Sequence, residues 1–432
     1  MSRILVIGAY GMIGQGIVRH LTEEGHHVTG LGRSPREARR AFPALEWYFH
    51  DIAHMTIAAD WLPYLREIDV VVNAAGALQD GPADDLTAVH ATAIAALAEA
   101  CALHGTALVQ ISSIGVKPDA STHFFRSKAA GDAAVRASGA RHWILRPGLV
   151  ISDTAYGATG LLRMLAAVPL VQPMAMGAVP VQTVGIRDLA RAVCACIAGT
   201  VPEGTEADLV EEAPHSLAEI TAALRAWLGF PPARATLNAP RWALSLASAG
   251  ADALGRLGWR SPLRSNALTA LSDEVLGNPA PWRAAGGPPI ARLDDTLAAM
   301  PARPEDRLAA RIRLAMPFTL ATLALFWALS GLIGLAQIGR AAAILADAGW
   351  PLWLSLLSVA AWACVDIALA ALLLWRPTAR RAALGMVAVS LAYLGLGTLF
   401  TPALWADPLG PLLKILPGAM LALAALPMLE SR

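Results

Sequence analysis

The sequence predicts an α/β domain with a doubly wound parallel sheet, followed by an all-α domain of four transmembrane helices. Two observations support this class. Short apolar strands alternate with helices over the first part of the chain, which is typical of a parallel sheet covered on both faces. Charged residues then almost disappear, because only 10 of the 67 Lys, Arg, Asp and Glu residues lie from Leu314 onward. The predicted domains are residues 1–235, a connecting segment at 236–312 with an amphipathic helix and a Pro/Gly linker, and residues 313–432.

The composition excludes several classes of protein. Hydrophobic residues make up 56% of the 432 residues and charged residues 16%, which argues against a disordered or fibrous chain. The net charge of +1 predicts no nucleic-acid partner. The four cysteines show no C-x-x-C spacing, so neither a disulfide framework nor a metal site is predicted.

The first strand and helix surround a glycine pattern. Arg3–Ile7 reads as a buried strand and Gln15–Glu24 as a helix, and between them Gly8, Gly11 and Gly14 form a G-x-x-G-x-x-G turn. Glycines at this place permit close backbone approach to a pyrophosphate, and the helix N-terminus offers free N–H groups. The turn therefore predicts dinucleotide binding by these glycines together with Tyr10, Met12 and Ile13.

Five more strands and three helices continue the alternation. The strands are predicted at His26–Leu31, Trp47–Ile52, Asp69–Asn73, Ala107–Ser113 and His142–Arg146, and the helices at Met55–Arg66, Leu86–His104 and Phe124–Ser138. Cofactor contacts should come from the carboxyl ends of such strands. Those ends supply the other predicted cofactor-binding residues: Arg33, Asp51, Ile52, Asn73, Ala74, Ala75, Gly76, Ser112, Pro147 and Gly148.

Arg33 bears on the choice of cofactor. An acidic residue after the second strand would bind the ribose 2′-hydroxyl of NAD, whereas arginine suits the 2′-phosphate of NADP. Ser34 and Glu37 are explained as the N-terminal cap of a helix, which leaves Arg33 unexplained by capping. NADP is therefore preferred over NAD.

These motifs together give a family resemblance. Residues 1–230 resemble the extended or atypical branch of the short-chain dehydrogenase/reductase superfamily, including the later segment Val184–Ala190. Residues 240–273 resemble the tail of the atypical group that includes an accessory subunit of respiratory complex I. The four-span segment is similar to the DoxX-like domain. The resemblance implies a Rossmann-type fold, with Ser113 orienting a substrate carbonyl and Lys128 holding the nicotinamide ribose.

The chain departs from this family at the catalytic tyrosine. The Tyr-x-x-x-Lys pair is here Phe124-x-x-x-Lys128, and phenylalanine cannot pass a proton. Lys128 is nevertheless one of three lysines beside 31 arginines, which indicates that a compact ammonium is needed there. Tyr156 is the predicted catalytic substitute with Ser113 and Lys128; His123 and Asp153 are alternatives, and ordinary loop roles stay open for all three.

Four apolar stretches predict a multi-pass protein of the inner membrane. They are residues 314–339, 351–375, 382–406 and 412–429, each close to the ~20 residues that cross hydrocarbon. Arginines precede the first span and lie in the loop between spans two and three, which predicts a cytoplasmic soluble domain. The apolar run before Gly8 is too short for a signal peptide. Asp366 lies inside span two, either for proton or substrate handling or for a packing hydrogen bond to Lys414 or Ser390.

Two functions follow from the sequence. The first is a membrane-anchored NAD(P)-dependent oxidoreductase acting on an apolar, quinone-like or lipid-like substrate, for which hydride transfer needs no tyrosine if the substrate is already activated. The alternative is a catalytically silent NAD(P)H-binding structural or redox-sensing subunit of a membrane protein complex. A sugar-nucleotide epimerase or dehydratase is a third option that Phe124 counts against. Residues 241–257 are expected to lie in the membrane interface or to close over the active site.

Overall fold

The computed structural model describes residues 1–77, 80, 85–259, 261, 263–265, 269, 276–408 and 410–430. The chain forms two compact units. The first contains Met1–Ala249 and Pro262–Arg307, and the second contains Gly250–Ser261 and Leu308–Arg432.

The described strands all belong to the first unit. They are β1 (Arg3–Ile7), β2 (His27–Gly32), β3 (Glu46–Phe49), β4 (Val70–Asn73), β5 (Ala107–Ile111), β6 (His142–Pro147), β7 (Leu149–Ile151), β8 (Val171–Met174), β9 (Pro180–Val181), β10 (Thr183–Gly185), β11 (Glu206–Leu209), β12 (His215–Ser216) and β13 (Ala235–Asn238).

The described helices continue through both units. They are α1 (Met12–Glu23), α2 (Pro35–Ala41), α3 (Ala58–Leu65), α4 (Ala93–His104), α5 (His123–Ala137), α6 (Gly157–Ala166), α7 (Ile186–Ile197), α8 (Leu217–Trp227), α9 (Arg241–Arg256), α10 (Ala280–Ala284), α11 (Leu293–Ala298), α12 (Pro304–Ala336), α13 (Ile338–Asp347), α14 (Leu352–Leu374), α15 (Ala379–Phe400) and α16 (Pro411–Glu430).

The main sheet confirms the predicted doubly wound α/β class. Its seven strands run parallel in the order β11-β6-β5-β4-β1-β2-β3. Alternate residues of β1 pack on opposite faces: Ile4 and Val6 lie in the cluster that contains α1 and α7, and Leu5 and Ile7 in the cluster that contains α3 and α4. The strand order reverses beside β1, so a crevice opens there at the carboxyl ends of β1 and β4.

The third strand ends earlier than the sequence indicates. The prediction ran to Ile52, but β3 stops at Phe49 and residues 52–54 form a 3₁₀ turn. The carboxylate of Asp51 accepts a 3.1 Å hydrogen bond from the Ala53 amide and so caps this turn. A capped turn cannot continue the strand pairing, because its amide groups are already used.

Residues 280–298 belong to the first unit and pack within it. Trp282 on α10 is only 2% exposed within the core cluster of α1 and α7. The amide of Ala291 donates to Asp188 at 2.9 Å, and the amide of Leu293 donates to the buried Glu211 at 3.0 Å. The Pro- and Gly-rich run is thus anchored by Trp282 and its neighbours, while the predicted domain boundaries at 235 and 312 stay a prediction.

The second unit contains four helices that are long and apolar enough to cross a membrane: α12, α14, α15 and α16. Asp366 of α14 is buried among them. Its carboxylate accepts hydrogen bonds of 2.8 Å from the hydroxyls of Ser330 and Tyr393. The predicted bond to Lys414 or Ser390 is therefore wrong, since both oxygens bond to hydroxyls of spans one and three.

Candidate functional site

The glycine turn between β1 and α1 leaves no room for side chains. Gly8 has a φ of +74°, and a Cβ there would lie 2.8 Å from Cα of Ala75. A Cβ at Gly14 would lie 2.9 Å from Cα of Ala9. The amide of Gly11 donates to the Gly8 carbonyl at 2.8 Å, which closes the turn. Only glycine fits at these positions, so the backbone itself forms the surface of the crevice.

The N-terminus of α1 faces this turn without a side-chain cap. Gly11 is the N-cap residue and offers no side-chain acceptor, and Met12 and Ile13 occupy the first turn. The N–H groups at a helix N-terminus have no intrahelical partner and carry partial positive charge. A cradle of glycine backbone with these donors fits the diphosphate of a dinucleotide.

Tyr10 connects the glycine turn to the end of β2. Its hydroxyl accepts hydrogen bonds from the amides of Arg33, at 3.1 Å, and Ser34, at 3.2 Å. Its ring packs against Gly32 and lies 6.0 Å from the ring of Trp47. The tyrosine therefore shapes the end of the crevice where an adenosine would lie, and its position on the glycine turn alone did not reveal these bonds.

Arg33 and Asp51 face each other at the same end. The guanidinium lies 3.7 Å from the carboxylate, and the two side chains are 39% and 31% exposed. Ile52, next to Asp51, is buried against the core. The structure thus brings together the two charged residues predicted to contact the adenosine, and each partly neutralises the other.

Asn73 shapes the neighbouring turn rather than presenting its side chain. Its amide group donates to Gln110 at 2.8 Å, and its oxygen accepts from the Ala75 amide at 3.2 Å. The amide of Ala74 donates to the carbonyl of Ile7 at 3.0 Å. These bonds hold residues 74–76 beside the glycine turn, where Gly76 is exposed.

Lys128 lies at the carboxyl end of β5. The residue is 8% exposed, and its ammonium donates to the Ile111 carbonyl at 3.2 Å and lies 5.8 Å from the centre of the Phe124 ring. Burial lowers the pKa of Lys128, and the charge of Asp132 opposes that effect. A Cβ at Gly76 would lie 4.0 Å from this ammonium, so the lysine reaches the turn after β4.

Asp132 is a second buried charge on α5. One carboxylate oxygen accepts a 2.6 Å hydrogen bond from the hydroxyl of Ser112, and the other has no partner within the described residues. Burial raises the pKa of Asp132, while the Ser112 hydrogen bond and the charge of Lys128 act in the opposite direction. The spacing of four residues from Lys128 could have identified Asp132 from the sequence.

His90 is a further polar residue that the sequence reasoning missed. Its Nε2 accepts from the Ala77 amide at 3.1 Å, which leaves Nδ1 to donate to the Ser127 hydroxyl at 3.0 Å. Burial is the largest cause that lowers the pKa of His90 to about 2. The imidazole is therefore neutral and holds residue 77 against α5. Its only sequence signal was a histidine within an apolar run.

The predicted proton donors have other contacts. His123 bonds to Asp80 and Thr87, each at 3.0 Å, and Asp153 bonds to Arg19 at 2.7 Å. Tyr156 precedes α6 with an exposed side chain. Within the described residues, no hydrogen bond joins any of the three to Lys128 or Ser113.

Ser113, Pro147 and Gly148 lie where β5 and β6 end. Ser113 is half-buried, and in the described part of the chain its hydroxyl makes no hydrogen bond. The carbonyl of Pro147 accepts from the Ile114 amide at 3.2 Å, and the Gly148 amide donates to Leu209 at 3.1 Å. The serine is thus available to a ligand, whereas Pro147 and Gly148 act through their backbone.

Two family models match the chain. Residues 8–168 match an NAD(P)H-binding family, and residues 324–424 match the DoxX-like family. The chain therefore has an NAD(P)-binding Rossmann domain followed by a DoxX-like membrane domain, as the resemblance implies. The glycine cradle and the uncapped helix N-terminus fit the dinucleotide that the first match indicates.

One curated relative and two solved structures are similar to parts of the chain. The ceramide reductase of Caulobacter vibrioides is 25% identical over 174 residues, which are 39% of this chain and 52% of that protein. The chain thus spans about half the length of this relative. The Bordetella bronchiseptica enzyme WbmH in complex with NAD+ has a TM-score of 0.54 and 18% identity, and covers 72% of this chain and 98% of its own. The structure of gox2253 has a TM-score of 0.52 and 17% identity, with 69% and 97% covered. These two structures show the fold alone.

Proposed function

We propose that the protein is a membrane-anchored, NAD(P)H-dependent oxidoreductase that reduces an apolar, lipid-like or quinone-like substrate. The observation that carries the proposal is the place of Lys128, whose buried ammonium reaches the turn at Gly76 on the same sheet edge as the glycine cradle. The distant ceramide reductase supports a lipid-like substrate. A domain with four membrane-spanning helices supports it too, because an apolar substrate partitions into the bilayer.

Each part of the site has a role in this proposal. The glycine turn and the N-terminus of α1 would hold the diphosphate, and the turn at 74–76 would lie toward the nicotinamide end. Lys128 would donate to the hydroxyls of the nicotinamide ribose, and Ser113 would orient a substrate carbonyl. Bound NAD(P)H supplies the hydride. Phe124 supplies no proton, so a substrate that already accepts electrons readily, as a quinone does, suits this site better than a simple ketone.

We infer that the cofactor is NADP rather than NAD. The Arg33 guanidinium is exposed enough to meet a 2′-phosphate at the adenosine end. Asp51 orients that guanidinium without burying it. An arginine–phosphate contact is charge-assisted and can be bidentate, so it discriminates the two cofactors strongly.

A second candidate is supported by Phe124 alone. In this alternative the domain binds NAD(P)H but turns nothing over, and the membrane domain assembles with a membrane protein complex. The Phe124 ring packs edge-on against the rings of His90 and Phe125. In this alternative, Phe124 has a packing role at the position where the family has its catalytic tyrosine.

The experiment measures binding and turnover on the full-length protein in lipid nanodiscs. NADPH fluorescence gives binding for the natural chain, for Gly11→Asp and for Gly250→Asp as a matched control in α9. Oxidation of NADPH is then followed with quinone analogues and with long-chain keto lipids. Equal binding by the natural chain and Gly11→Asp would overturn the dinucleotide site. Binding without oxidation by any acceptor would favour the silent subunit.

We also place the soluble domain on the cytoplasmic face of an inner membrane. The support is the distribution of arginine: Arg311 and Arg313 come just before the uncharged stretch 314–339 of the first span, and Arg380 and Arg381 follow the second span. Protease digestion of vesicles of both orientations tests this placement. The first 235 residues should be digested in inside-out vesicles and protected in right-side-out vesicles, and the reverse result would contradict the placement.

A further inference from the structure

The loop between spans two and three is held in place by two other segments of the second unit. Arg376 lies in this loop, between the end of α14 at Leu374 and the start of α15 at Ala379. Its amide donates to the carbonyl of Leu257 at 3.0 Å, and its guanidinium donates to the carbonyl of Leu429 at 2.8 Å. All of these residues belong to the second unit, so the loop is a fixed surface of the membrane domain itself.

Two tryptophans border the same loop. The indole of Trp259 donates to the carbonyl of Leu374 at 2.6 Å, and its ring centre lies 5.3 Å from the Arg376 guanidinium. Trp375 follows α14 directly and is 49% exposed. Tryptophan is enriched at the level of the lipid headgroups, and a loop that joins two membrane spans has to lie at that level. The side chains of this loop therefore meet headgroups rather than the centre of the bilayer.

The arginines at this end of the spans differ in what they contact. Arg380 and Arg381 lie in the first turn of α15, where cations oppose the helix macrodipole, so the stability of the helix does not explain them. Arg380 pairs with Glu430 at 3.2 Å. Arg381 is exposed, and in the described part of the unit it has no hydrogen-bond or ion-pair partner. A positive charge that the described protein groups leave unpaired therefore lies at the headgroup level.

We propose that this end of the membrane domain binds the phosphate group of an anionic phospholipid, with Arg381 as the main contact and Arg380 and Trp375 beside it. A guanidinium can donate two parallel hydrogen bonds to phosphate oxygens. The phosphate belongs to a lipid rather than to a soluble molecule, because the loop joins two membrane spans and an exposed tryptophan accompanies the arginines. This assignment does not depend on the reaction proposed above.

The test measures lipid binding by the full-length protein and by three variants of exposed charged residues. Arg381→Gln removes the unpaired cation, and Glu430→Gln releases Arg380 from its ion pair. Arg340→Gln removes an exposed arginine of α13 and is the matched control. Each purified protein in detergent is titrated with phosphatidylglycerol and with phosphatidylcholine, and native mass spectrometry measures the fraction that carries each lipid. Soluble glycerol phosphate is then added as a competitor.

Arg381→Gln should weaken phosphatidylglycerol binding about fivefold, whereas Arg340→Gln should leave it unchanged. Glu430→Gln should strengthen binding, so a general loss of folding cannot imitate both results. Phosphatidylcholine should bind equally to all four proteins. Equal weakening in Arg381→Gln and Arg340→Gln would overturn the proposal, because only net charge would then matter. Competition by glycerol phosphate as strong as that by phosphatidylglycerol would also overturn it, since the site would then need no lipid.

Discussion

Lys128 and Asp132 lie one turn apart on α5 and bind two consecutive residues, the last residue of β5 and the residue that follows it. The ammonium of Lys128 donates to the carbonyl of Ile111, and the carboxylate of Asp132 accepts from the hydroxyl of Ser112. Both side chains are buried. The helix is therefore fixed to the end of the strand by two opposite charges, each of which influences the protonation of the other.

Asp132→Asn should make the proposed cofactor site more sensitive to alkaline pH. The negative charge of Asp132 opposes the lowering of the Lys128 pKa by burial, so its removal lowers that pKa further. If charged Lys128 holds the ribose, NADPH affinity should then fall at a lower pH than in the natural chain. NADPH fluorescence titrations across a pH series measure the midpoint. Lys128→Ala is the control, because it lacks the ammonium and should not show this pH midpoint. An unshifted midpoint in Asp132→Asn would contradict the role of Asp132.

His90 should make the soluble domain less stable in acid. Its pKa is lowered to about 2 in the folded protein, against 6.5 for an ordinary histidine. Below about pH 6 the unfolded chain binds a proton that the folded chain does not, so the free energy of unfolding falls by up to ~1.4 kcal/mol per pH unit. Denaturant unfolding in detergent at about pH 7 and pH 5 measures this loss. His90→Asn should show a smaller loss, and an equal loss in both proteins would refute the assignment.

Gly8→Ala should weaken dinucleotide binding by more than backbone strain alone would explain. The new Cβ would meet the backbone of Ala75, in addition to the strain of a positive φ. Gly25 has a φ of +81° with open space around it, so Gly25→Ala carries the strain alone. We expect NADPH affinity to fall at least about tenfold in Gly8→Ala and to stay unchanged in Gly25→Ala. A similar loss in both variants would show that the crevice is not the cause.

Arg33→Ser should change the preference between cofactors. Loss of a charge-assisted contact to the 2′-phosphate should weaken NADPH binding about tenfold or more, whereas NADH binding should change little. Arg39→Ser, on the exposed side of α2, removes the same charge as a control. Dissociation constants for both cofactors are compared in the three proteins. Parallel weakening of NADH and NADPH in Arg33→Ser would argue against a 2′-phosphate contact.

Tyr393→Phe and Ser330→Ala should weaken the packing of the membrane domain. Each removes one hydrogen bond to Asp366, and such bonds between membrane helices contribute about 0.6 kcal/mol on average. Unfolding in increasing dodecyl sulfate measures the loss, and a double-mutant cycle with Asp366→Ala isolates the interaction. Ser390→Ala, a buried serine of the same helix as Tyr393, is the control and should cost less.

The periodic parts of the fold were predictable because burial fixes their pattern. The four apolar residues of β1 are buried on both faces of a parallel sheet, and the strand is where the sequence placed it. The end of β3 was not predictable in this way, because it depends on a single hydrogen bond that the Ala53 amide donates to the carboxylate of Asp51. The hydrogen-bond partners of Asp366 were not predicted for a similar reason. Ser330 and Tyr393 are far from Asp366 in sequence, and only helix packing brings them close.

The candidate site shows the same division. The spacing of the glycines required a close backbone approach, and the structure has one between Gly8 and Ala75. Tyr10 and His90 could not be assigned from their neighbours, because each makes hydrogen bonds to a backbone amide from another element. Phe124 was visible in the sequence as a missing hydroxyl, and the roles of Ser113 and Tyr156 stay predictions.

The indole of Trp259, which follows α9, donates a 2.6 Å hydrogen bond to the carbonyl of Leu374 at the end of α14. This contact has a consequence for the order of events during biosynthesis. The two residues are 115 positions apart, so the ribosome must make and deliver two spans to the insertion machinery before the indole finds its acceptor. At an elongation rate of about 5–20 residues per second, this interval is on the order of ten seconds. Throughout that time the residues that follow α9 lack their final neighbour, so Trp259 reaches its native contact only after α14 is complete.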